Sequence, residues 1–541
     1  MKRLFLVLAM LPAFFAGQAQ NAPAFVWGST DVRYSIDAAP KAEAAPALRA
    51  WKGERVNAQA VFTASVSEDT KISVSVSDFK SGKKIIPSSA VTASFVDYVI
   101  VDAFGHIGED MGIQPDRLVN ACCYDVKAGR NCPVWINIAV PYDAAPGKYT
   151  ATVTLKSGSA SYKLPLTLTV IDRVLPKPED WKFHLDLWQN PYSVARYFNV
   201  PLWSEEHFAK MRPIMEKYAS AGGKVVTASI IQHPWNSQTY DPFESMIAKT
   251  KHIDGSWSYD YSVFDKWIEF AFTCGDFDQI DCYTIVPWGY TFEYFDLATS
   301  TLKNVDCKPG EKAYEDILLP FLTDFAKHLH AKGWFDMTCI AMDERPMDQL
   351  KEARKLVKRA DPGFRIAGAV NYSPEVVDIM YDISFGYEYS GCPEEVLVQR
   401  HADNLVSTIY TCCGPVHPNT FTFSPLAESE FIGISAAARN FSGYLRWALN
   451  SWPENPCKDS RFGHWVSGDT YLLYPEGSSA RFERFIEGAQ DYEKIRILRE
   501  QADPKTRALL EKALEPFKTI VVDETLDAAA DVKSVEAVLN R

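Results

Sequence analysis

The 541-residue sequence lacks most of the short motifs that announce a chemistry. There is no Gly-x-Gly-x-x-Gly turn and no Walker loop, so a dinucleotide or nucleoside triphosphate site has no support. A Gly-x-Ser-x-Gly elbow and a His-Glu-x-x-His helix are absent too, which leaves serine-hydrolase and zincin readings without a motif. None of the eleven cysteines are spaced as Cys-x-x-Cys, against a zinc ribbon or a thioredoxin-like pair. Basic residues are outnumbered 56 to 69, and a net charge of −13 argues against nucleic acid as the main partner. Beyond the N-terminus no apolar run reaches the ~18 residues of a membrane span. No metal or cofactor is expected.

What is present is a large, aromatic-rich chain. Hydrophobic residues make up 47% and charged residues 23%, enough for an extensive core and too apolar for wholesale disorder. Aromatics reach 13%, with 14 Trp and 25 Tyr. That excess suits rings stacked on flat apolar faces, as in sugar-binding proteins, and suits a large aromatic core equally well. Lys2 and Arg3, the apolar run Leu4–Phe15 and the small-x-small site Gly17-Gln18-Ala19 read as a secretory signal peptide over residues 1–19. With no Cys after the site to carry a lipid, soluble export to the periplasm is expected. Export permits disulfides. Eleven is an odd count, and buried free thiols with one or two bridges are the expectation.

Residues 24–173 read as strands. Val56, Ala58, Ala60 and Phe62 alternate, as do Ile72, Val74 and Val76, and Tyr149–Leu155 follows a Pro146-Gly147 turn. Short β-rich runs between Gly, Pro, Asp and Ser clusters predict an antiparallel β-sandwich. The stiff linker Leu175–Asp180 follows. After Trp181 strand-like and helical runs alternate. The strand candidates are Phe183–Trp188, Val225–Gln232, Tyr283–Trp288, Met337–Met342, Arg365–Val370, Ile383–Tyr387, Ser407–Cys412 and Gly443–Leu449. Eight strands with intervening helices predict a (β/α)8 TIM-like barrel over 181–500, closed by an amphipathic helix at Arg481–Arg499, with residues 501–541 as a helical tail.

Barrel chemistry sits at the C-terminal ends of the strands. The segments there are rich in Trp, Tyr, His, Asn and acid, which is what a pyranose site needs: aromatic faces for the C–H face, amides and acids for hydroxyls. The sharpest feature is Asp343-Glu344, delivered by the apolar run Met337–Met342 and followed by Pro346. Adjacent Cα atoms lie ~3.8 Å apart, so like-charge repulsion should raise one carboxyl's pKa. The same dipeptide reads equally well as an N-cap and a first-turn acid. An ordinary retaining glycosidase places its acid and nucleophile on different sides of the anomeric carbon, ~5–5.5 Å apart. Neighbours on one strand end fit another division of labour: one protonates the leaving oxygen, the other holds a 2-acetamido group that supplies the nucleophile.

The order of sandwich and barrel resembles glycoside hydrolase family 123. So do the strand end Met342-Asp343-Glu344, the segments Gly443–Trp452 and Gly468–Pro475, and Arg481-Phe482-Glu483 with Glu487–Glu493. The resemblance spans nearly the whole mature chain. It implies an exo-acting, retaining β-N-acetylgalactosaminidase acting on glycans or glycoconjugates, with Glu344 as general acid/base and Asp343 orienting the acetamido group. Trp452 and Trp447 are the stacking candidates, although strand alternation turns them to opposite sides if the strand continues. Tyr410, His233, Asn371, Tyr372 and Trp288 are candidate sugar contacts, each equally readable as structural. Asp469 reads as a turn residue in preference to a loop acid bound to a sugar hydroxyl, and Asp491 and Glu493 as a solvated face or ion pair. The rival readings are a glycosidase for another N-acetylhexosaminide and a non-catalytic glycan-binding protein. The N-terminal domain reads as a buttress.

Overall fold

The computed structural model describes residues 22–541; the expected leader lies outside the described residues. The N-terminal part holds two sheets. One has five strands in the order Ala24–Gly28, Arg55–Thr63, Asn131–Ala139, Val91–Ile100 and Ile113–Val119, all antiparallel. The other runs Ala47–Lys52, Ala160–Val174, Gly147–Ser157, Thr70–Val76 and Tyr124–Val126, with two short strands alongside. Its outer strand Ala47–Lys52 is parallel to Ala160–Val174, a departure from the all-antiparallel expectation. Alternation drives the burial: in Gly147–Ser157, Tyr149, Ala151, Val153 and Leu155 point inward while their neighbours stay wetter. Those residues share one apolar cluster with Phe62, Val134 and Ile136 of the first sheet.

The second part is a ring of eight parallel strands. In chain order they are His184–Leu187, Val225–Ser229, Gln279–Tyr283, Thr338–Met342, Arg365–Val370, Asp382–Gly386, Val406–Tyr410 and Gly443–Arg446. The first pairs with the eighth, and the pairing then runs back in order to the second. The seam between first and second is narrower, held by the bridge Leu185–Gly223 and by Lys224 N–H donating to Leu185 C=O at 2.9 Å. Strands covered on both faces read as continuous apolar runs, which is why seven of the eight were visible in the sequence. The third differs: it is Gln279–Tyr283, not Tyr283–Trp288. Gln279 and Asp281 interrupt its apolar pattern because both are buried in the barrel, where the Gln279 amide donates to Asp281 at 2.9 Å and to Asp382 at 2.8 Å.

A separate four-stranded sheet was not foreseen. It joins Ala248–Lys251 and Trp257–Asp260, from the loop after the second barrel strand, to Thr291–Asp296 and Thr301–Asp306, from the loop after the third. The closing helix, Ala480–Gln501, is not amphipathic in its surroundings, since nearly every residue up to Leu498 is buried. It lies against helix Leu426–Ala438, with tail helices Pro504–Leu514 and Ala528–Leu539 packed on the pair through Phe431, Ile434, Ile495, Leu510 and Val535. Accordingly Asp491 and Glu493 are buried rather than solvated, beside Lys494 at 3.1 Å and Arg496 at 2.9 Å. All eleven cysteines are free, so no bridge forms.

The N-terminal sheets grip the barrel through buried charge. Asp116, fully buried on Ile113–Val119, accepts from Arg481 Nε at 2.9 Å and from Tyr474 OH at 2.8 Å. Asp102 accepts from Ser467 N–H at 2.7 Å and donates its own N–H to Ser467 Oγ at 3.0 Å. These contacts fix the loop that precedes the closing helix, and that loop reaches the barrel mouth.

Candidate active site

Asp343 and Glu344 follow the buried strand Thr338–Met342 directly, and Pro346 caps the next helix, Met347–Ala360. The adjacent acids meet different surroundings. Asp343 is half-buried: its Oδ2 accepts from Trp288 Nε1 at 2.7 Å and its Oδ1 from Glu344 N–H at 2.9 Å. Loss of water around its carboxyl pushes the pKa up to about 6, against the pull of the Trp288 hydrogen bond and with the Glu344 charge adding to the rise. Arg345 lies over the rings of Trp288 and Tyr290, at 4.8 and 4.6 Å, and so fixes the indole that serves Asp343.

Glu344 is exposed toward the mouth and accepts a hydrogen bond from the Tyr410 hydroxyl. Burial, then the Glu344 charge, raises the Tyr410 pKa, so the phenol stays a donor. Room for that hydroxyl comes from Gly386: a Cβ there would stand 3.3 Å from Tyr410 OH and 3.1 Å from Asn371 Oδ1.

Both acids line a cavity of about 200 Å³. Trp188 and Trp235 form a buried part of its wall, ring centroids 5.0 Å apart, with Tyr283 behind Trp188 at 4.3 Å. Trp447 and Trp465 meet edge to face at 5.8 Å, and Trp465 Nε1 donates to Gln238 C=O at 2.9 Å. Trp447 Nε1 donates to Asp469 Oδ1 at 3.1 Å, and the same oxygen takes Arg446 Nη2 at 2.8 Å in a fully buried ion pair. Burial lifts the Asp469 pKa to about 6, opposed by Arg446. Cys412 and Cys413 complete one side, their sulfurs 3.8 Å apart. Among the described residues no cluster of His, Cys, Asp and Glu could hold a metal ion.

A larger cavity, about 710 Å³, lies between the N-terminal sheets and the barrel. Two acids line it: the buried Glu483 is committed to Lys217 at 3.2 Å and Ser478 at 2.5 Å, and Glu476 is exposed on the loop before the closing helix, several residues along the chain from it rather than beside it as Asp343 is beside Glu344.

Of the residues expected at the site, Asp343, Glu344, Trp288, Tyr410 and Trp447 meet in the smaller cavity. Trp452 does not. It is fully buried, packs edge-on against Tyr197 at 5.5 Å and donates Nε1 to Leu473 C=O at 2.7 Å, because the chain after Asn450 turns back into the core. His233 is exposed on the adjoining loop, and its neighbour Trp235 takes the wall position instead. Asn371 stands exposed behind Tyr410, and Tyr372 packs on Phe385, so neither lines the cavity. Trp465 was missed as a site residue, and for Asp469, which also lines the cavity, the sequence favours the turn reading over a sugar contact. Neither follows a barrel strand, and a loop held only by distant contacts leaves no periodic signal. Asp469 does sit in a turn, its N–H donating to Val466 C=O at 3.0 Å, and its buried carboxylate is also the partner of Arg446.

The family model for the catalytic domain of glycoside hydrolase 123 matches residues 188–498, and that for its N-terminal domain matches residues 27–157. The chain belongs to glycoside hydrolase family 123. This family 123 member is similar to a family 123 glycoside hydrolase from Clostridium perfringens described for glycolipid glycan hydrolysis, at 28% identity and TM-score 0.89, over 96% of this chain and 98% of that one. Two β-glucuronidases are far more distant. That of Bacteroides uniformis is 9% identical, over 87% of this chain and 51% of its own, with TM-score 0.28. That of Parabacteroides merdae is 10% identical, over 81% and 50%, with TM-score 0.30. No curated protein matches. Family membership makes this chain a glycosidase, with a multidomain architecture of N-terminal sheets, eight-stranded barrel and helical tail. No helix among the described residues is long and apolar enough to cross a membrane.

Proposed function

We propose that this glycosidase removes terminal β-linked N-acetylgalactosamine with retention, by substrate assistance through the 2-acetamido group. The observation that carries this reading is the pair of adjacent acids in unlike settings. Asp343 is held between an indole N–H and a backbone N–H, and Glu344 is open to the mouth with a phenol donor at one oxygen. A cavity of about 200 Å³ is smaller than the ~300–1,000 Å³ of drug-sized sites, so it suits a single sugar ring and exo action.

In the first step the acetamido oxygen attacks C1. The C1–O bond breaks, and Glu344 gives its proton to the departing oxygen. Asp343 accepts from the acetamido N–H and offsets the positive charge of the oxazolinium ring. In the second step Glu344, now a carboxylate, takes a proton from water. The water oxygen bonds to C1, the ring opens, and the anomeric configuration returns to that of the substrate. Asp343 must be ionised to do this, which its value of about 6 allows at neutral pH. The relative's glycolipid substrate makes a glycolipid glycan the natural candidate here. The leader-like pattern of residues 1–19 supports export, and the periplasm is the compartment proposed for the reaction.

The test is turnover of 4-nitrophenyl β-N-acetylgalactosaminide, with the first-formed anomer read by NMR. Release of the α-anomer, or cleavage of the glucosaminide alone, overturns the proposal. Glu344→Gln should lose about 10²–10⁴-fold on glycans with poor leaving groups and far less on activated aryl glycosides. Equal losses on both remove Glu344 from the acid role.

A further inference from the structure

The cavity wall holds two side chains that the acid pair's chemistry does not use. Cys412 and Cys413 are adjacent in sequence, both line the cavity that contains Asp343 and Glu344, and their sulfurs stand 3.8 Å apart. Both thiols are free, Cys412 half-buried and Cys413 exposed. The turn that carries them is pinned at Cys412. Its N–H donates to Gly414 C=O at 3.0 Å, and its C=O, part of the peptide that joins the two cysteines, accepts from Asn419 Nδ2 at 3.1 Å. The two thiols are unlike. A hydrogen bond from Cys412 lowers the Cys413 pKa, while the same bond, burial and the Asp469 charge push Cys412 up. Thiolate character and access therefore fall on one residue, Cys413, with a second thiol beside it.

Another adjacent pair serves as a comparison. Cys122 and Cys123, in the N-terminal domain, have sulfurs 3.7 Å apart and also lie near the surface. There the hydrogen bond and the charge of Cys122 raise Cys123, which disfavours its thiolate. Proximity is common to the two pairs. An activated, exposed thiol next to a resolving one belongs to the pair at the barrel mouth.

We infer that Cys412 and Cys413 form a redox switch at the cavity rim, closed to a disulfide by exchange with a disulfide oxidant, and that closure lowers glycosidase activity. The Cys413 thiolate attacks one sulfur of the oxidant. The oxidant's S–S bond breaks, its other sulfur leaves as a thiolate, and a mixed disulfide stands on Cys413. Cys412 then gives up its proton and attacks Cys413 Sγ, and the remaining half of the oxidant leaves. Two electrons pass from the pair to the oxidant, which departs as two thiols carrying the two protons that the cysteines lost.

Closure moves the backbone. Neighbouring Cα atoms are ~3.8 Å apart, against ~4.4–6.8 Å in ordinary bridges, so the linking peptide twists and its carbonyl turns away from Asn419. Asn419 Oδ1 accepts from Arg446 Nη1 at 2.9 Å, and Tyr410, two residues before Cys412, holds Glu344. The twist thus reaches the wall on one side and the acid's phenol donor on the other. The same strain keeps the bond easily reduced, as a switch requires and a permanent staple does not. Disulfides are the standing oxidants outside the cytoplasm, where the proposed export places the chain.

The experiment incubates the reduced protein with oxidised glutathione, blocks the remaining thiols with iodoacetamide and weighs the tryptic peptides. Peptide 401–439 contains Cys412 and Cys413 and no other cysteine, and peptide 118–127 contains only Cys122 and Cys123. The first should lose two hydrogens and take no alkyl group, while the second still takes two. In parallel, kcat/KM on an activated aryl glycoside should fall about fivefold, the worth of one hydrogen bond in the wall, and return with dithiothreitol. Cys412→Ser should hold glutathione on Cys413, since no resolving thiol remains, and the rate of Cys413→Ser should not respond to the oxidant. Two alkyl groups on peptide 401–439, glutathione left on the wild-type peptide, or equal closure of peptide 118–127 overturns the assignment, as does a closed pair with unchanged kcat/KM. The peptide masses need neither a folded variant nor a particular glycoside, so their result stands apart from that of the hexosaminidase reading.

Discussion

The acid limb of the pH–activity profile should belong to Asp343, and Trp288 should set where it falls. Asp343 must be ionised to hold the acetamido N–H, and its value is about 6. One unit below that, at pH ~5, about a tenth of the enzyme carries the charge, and kcat/KM should stand ~10-fold under its plateau; at pH ~4 the deficit is ~100-fold. Trp288 Nε1 donates to the charged form at 2.7 Å. A hydrogen bond to a charged group is worth ~1.5–3 kcal/mol, or about 1–2 pK units. Because Asp343 keeps partial contact with solvent, the lower end applies, and Trp288→Phe should move the limb upward by about one unit, to near pH ~7. The sign follows from the chemistry: removing a donor disfavours the carboxylate, raises its pKa and demands a higher pH for the same ionised fraction. The assay is kcat/KM from pH 4 to 9 on an activated aryl glycoside, which reports the free enzyme while demanding little of the proton donor. Lost stacking lowers the plateau but leaves the midpoint alone, so the midpoint is the readout. A Trp288→Phe limb at the wild-type position would refute the reasoning. So would an Asp343→Asn variant that keeps a limb near 6.

The Tyr410 hydroxyl holds one oxygen of Glu344, so Tyr410→Phe should lower kcat about 10-fold, the worth of one hydrogen bond, with KM little changed; a rise in KM alone would make Tyr410 a substrate contact instead. Arg446→Met strands the Asp469 carboxylate in a fully buried site, and a loss of about 3–5 kcal/mol is expected, read from the urea midpoint; an unshifted midpoint contradicts the ion-pair account. Cys413 is exposed at the cavity rim, its pKa lowered by a hydrogen bond from Cys412. Iodoacetamide should therefore inactivate the enzyme at Cys413, a saturating monosaccharide should protect it, and Cys413→Ser should resist. Inactivation at equal rate in Cys413→Ser would assign the reaction to another thiol.

How far the sequence could be read depends on how locally each element is determined. Barrel strands buried on both faces are written as apolar runs, and the runs at Thr338–Met342 and Arg365–Val370 stand out unaided. The acid pair is legible for the same reason, since it caps such a run. Gln279 and Asp281 broke the pattern because the Gln279 amide is satisfied across the barrel by Asp382, a partner roughly a hundred residues away that no window of sequence contains, and serves Asp281 as well. The accessory sheet was invisible because its strands are four to six residues long and half exposed. Trp452 shows the opposite error. Position just beyond a strand end put it at the mouth, but one backbone turn at Asn450 and Ser451 sends it into the helix core beside Tyr197 and Phe198. Asp469 and Trp465 are placed by a loop whose anchors, Asp102 and Arg446, lie elsewhere in the chain.

Two buried acid systems support the cavity without touching its chemistry. Beneath it, Asp186, Asp281 and Asp382 share the barrel interior with His184, whose Nε2 lies 3.2 Å from Asp382. Burial and the charge of Asp382 push Asp186 up to about 7, so the group stays partly protonated near neutrality. Asp186 Oδ2 accepts from Trp188 Nε1 at 3.1 Å and so fixes an indole of the cavity wall. Beside the cavity, Asp102 and Asp116 of the N-terminal sheets hold Ser467 and Arg481, and Arg481 in turn holds the Gly468 carbonyl next to Asp469. The N-terminal domain thus reaches the site by charge relayed through one loop. That accounts for a buttress whose removal should disturb the Asp469 wall while leaving the Asp343-Glu344 strand end, which rests on barrel contacts alone, in place.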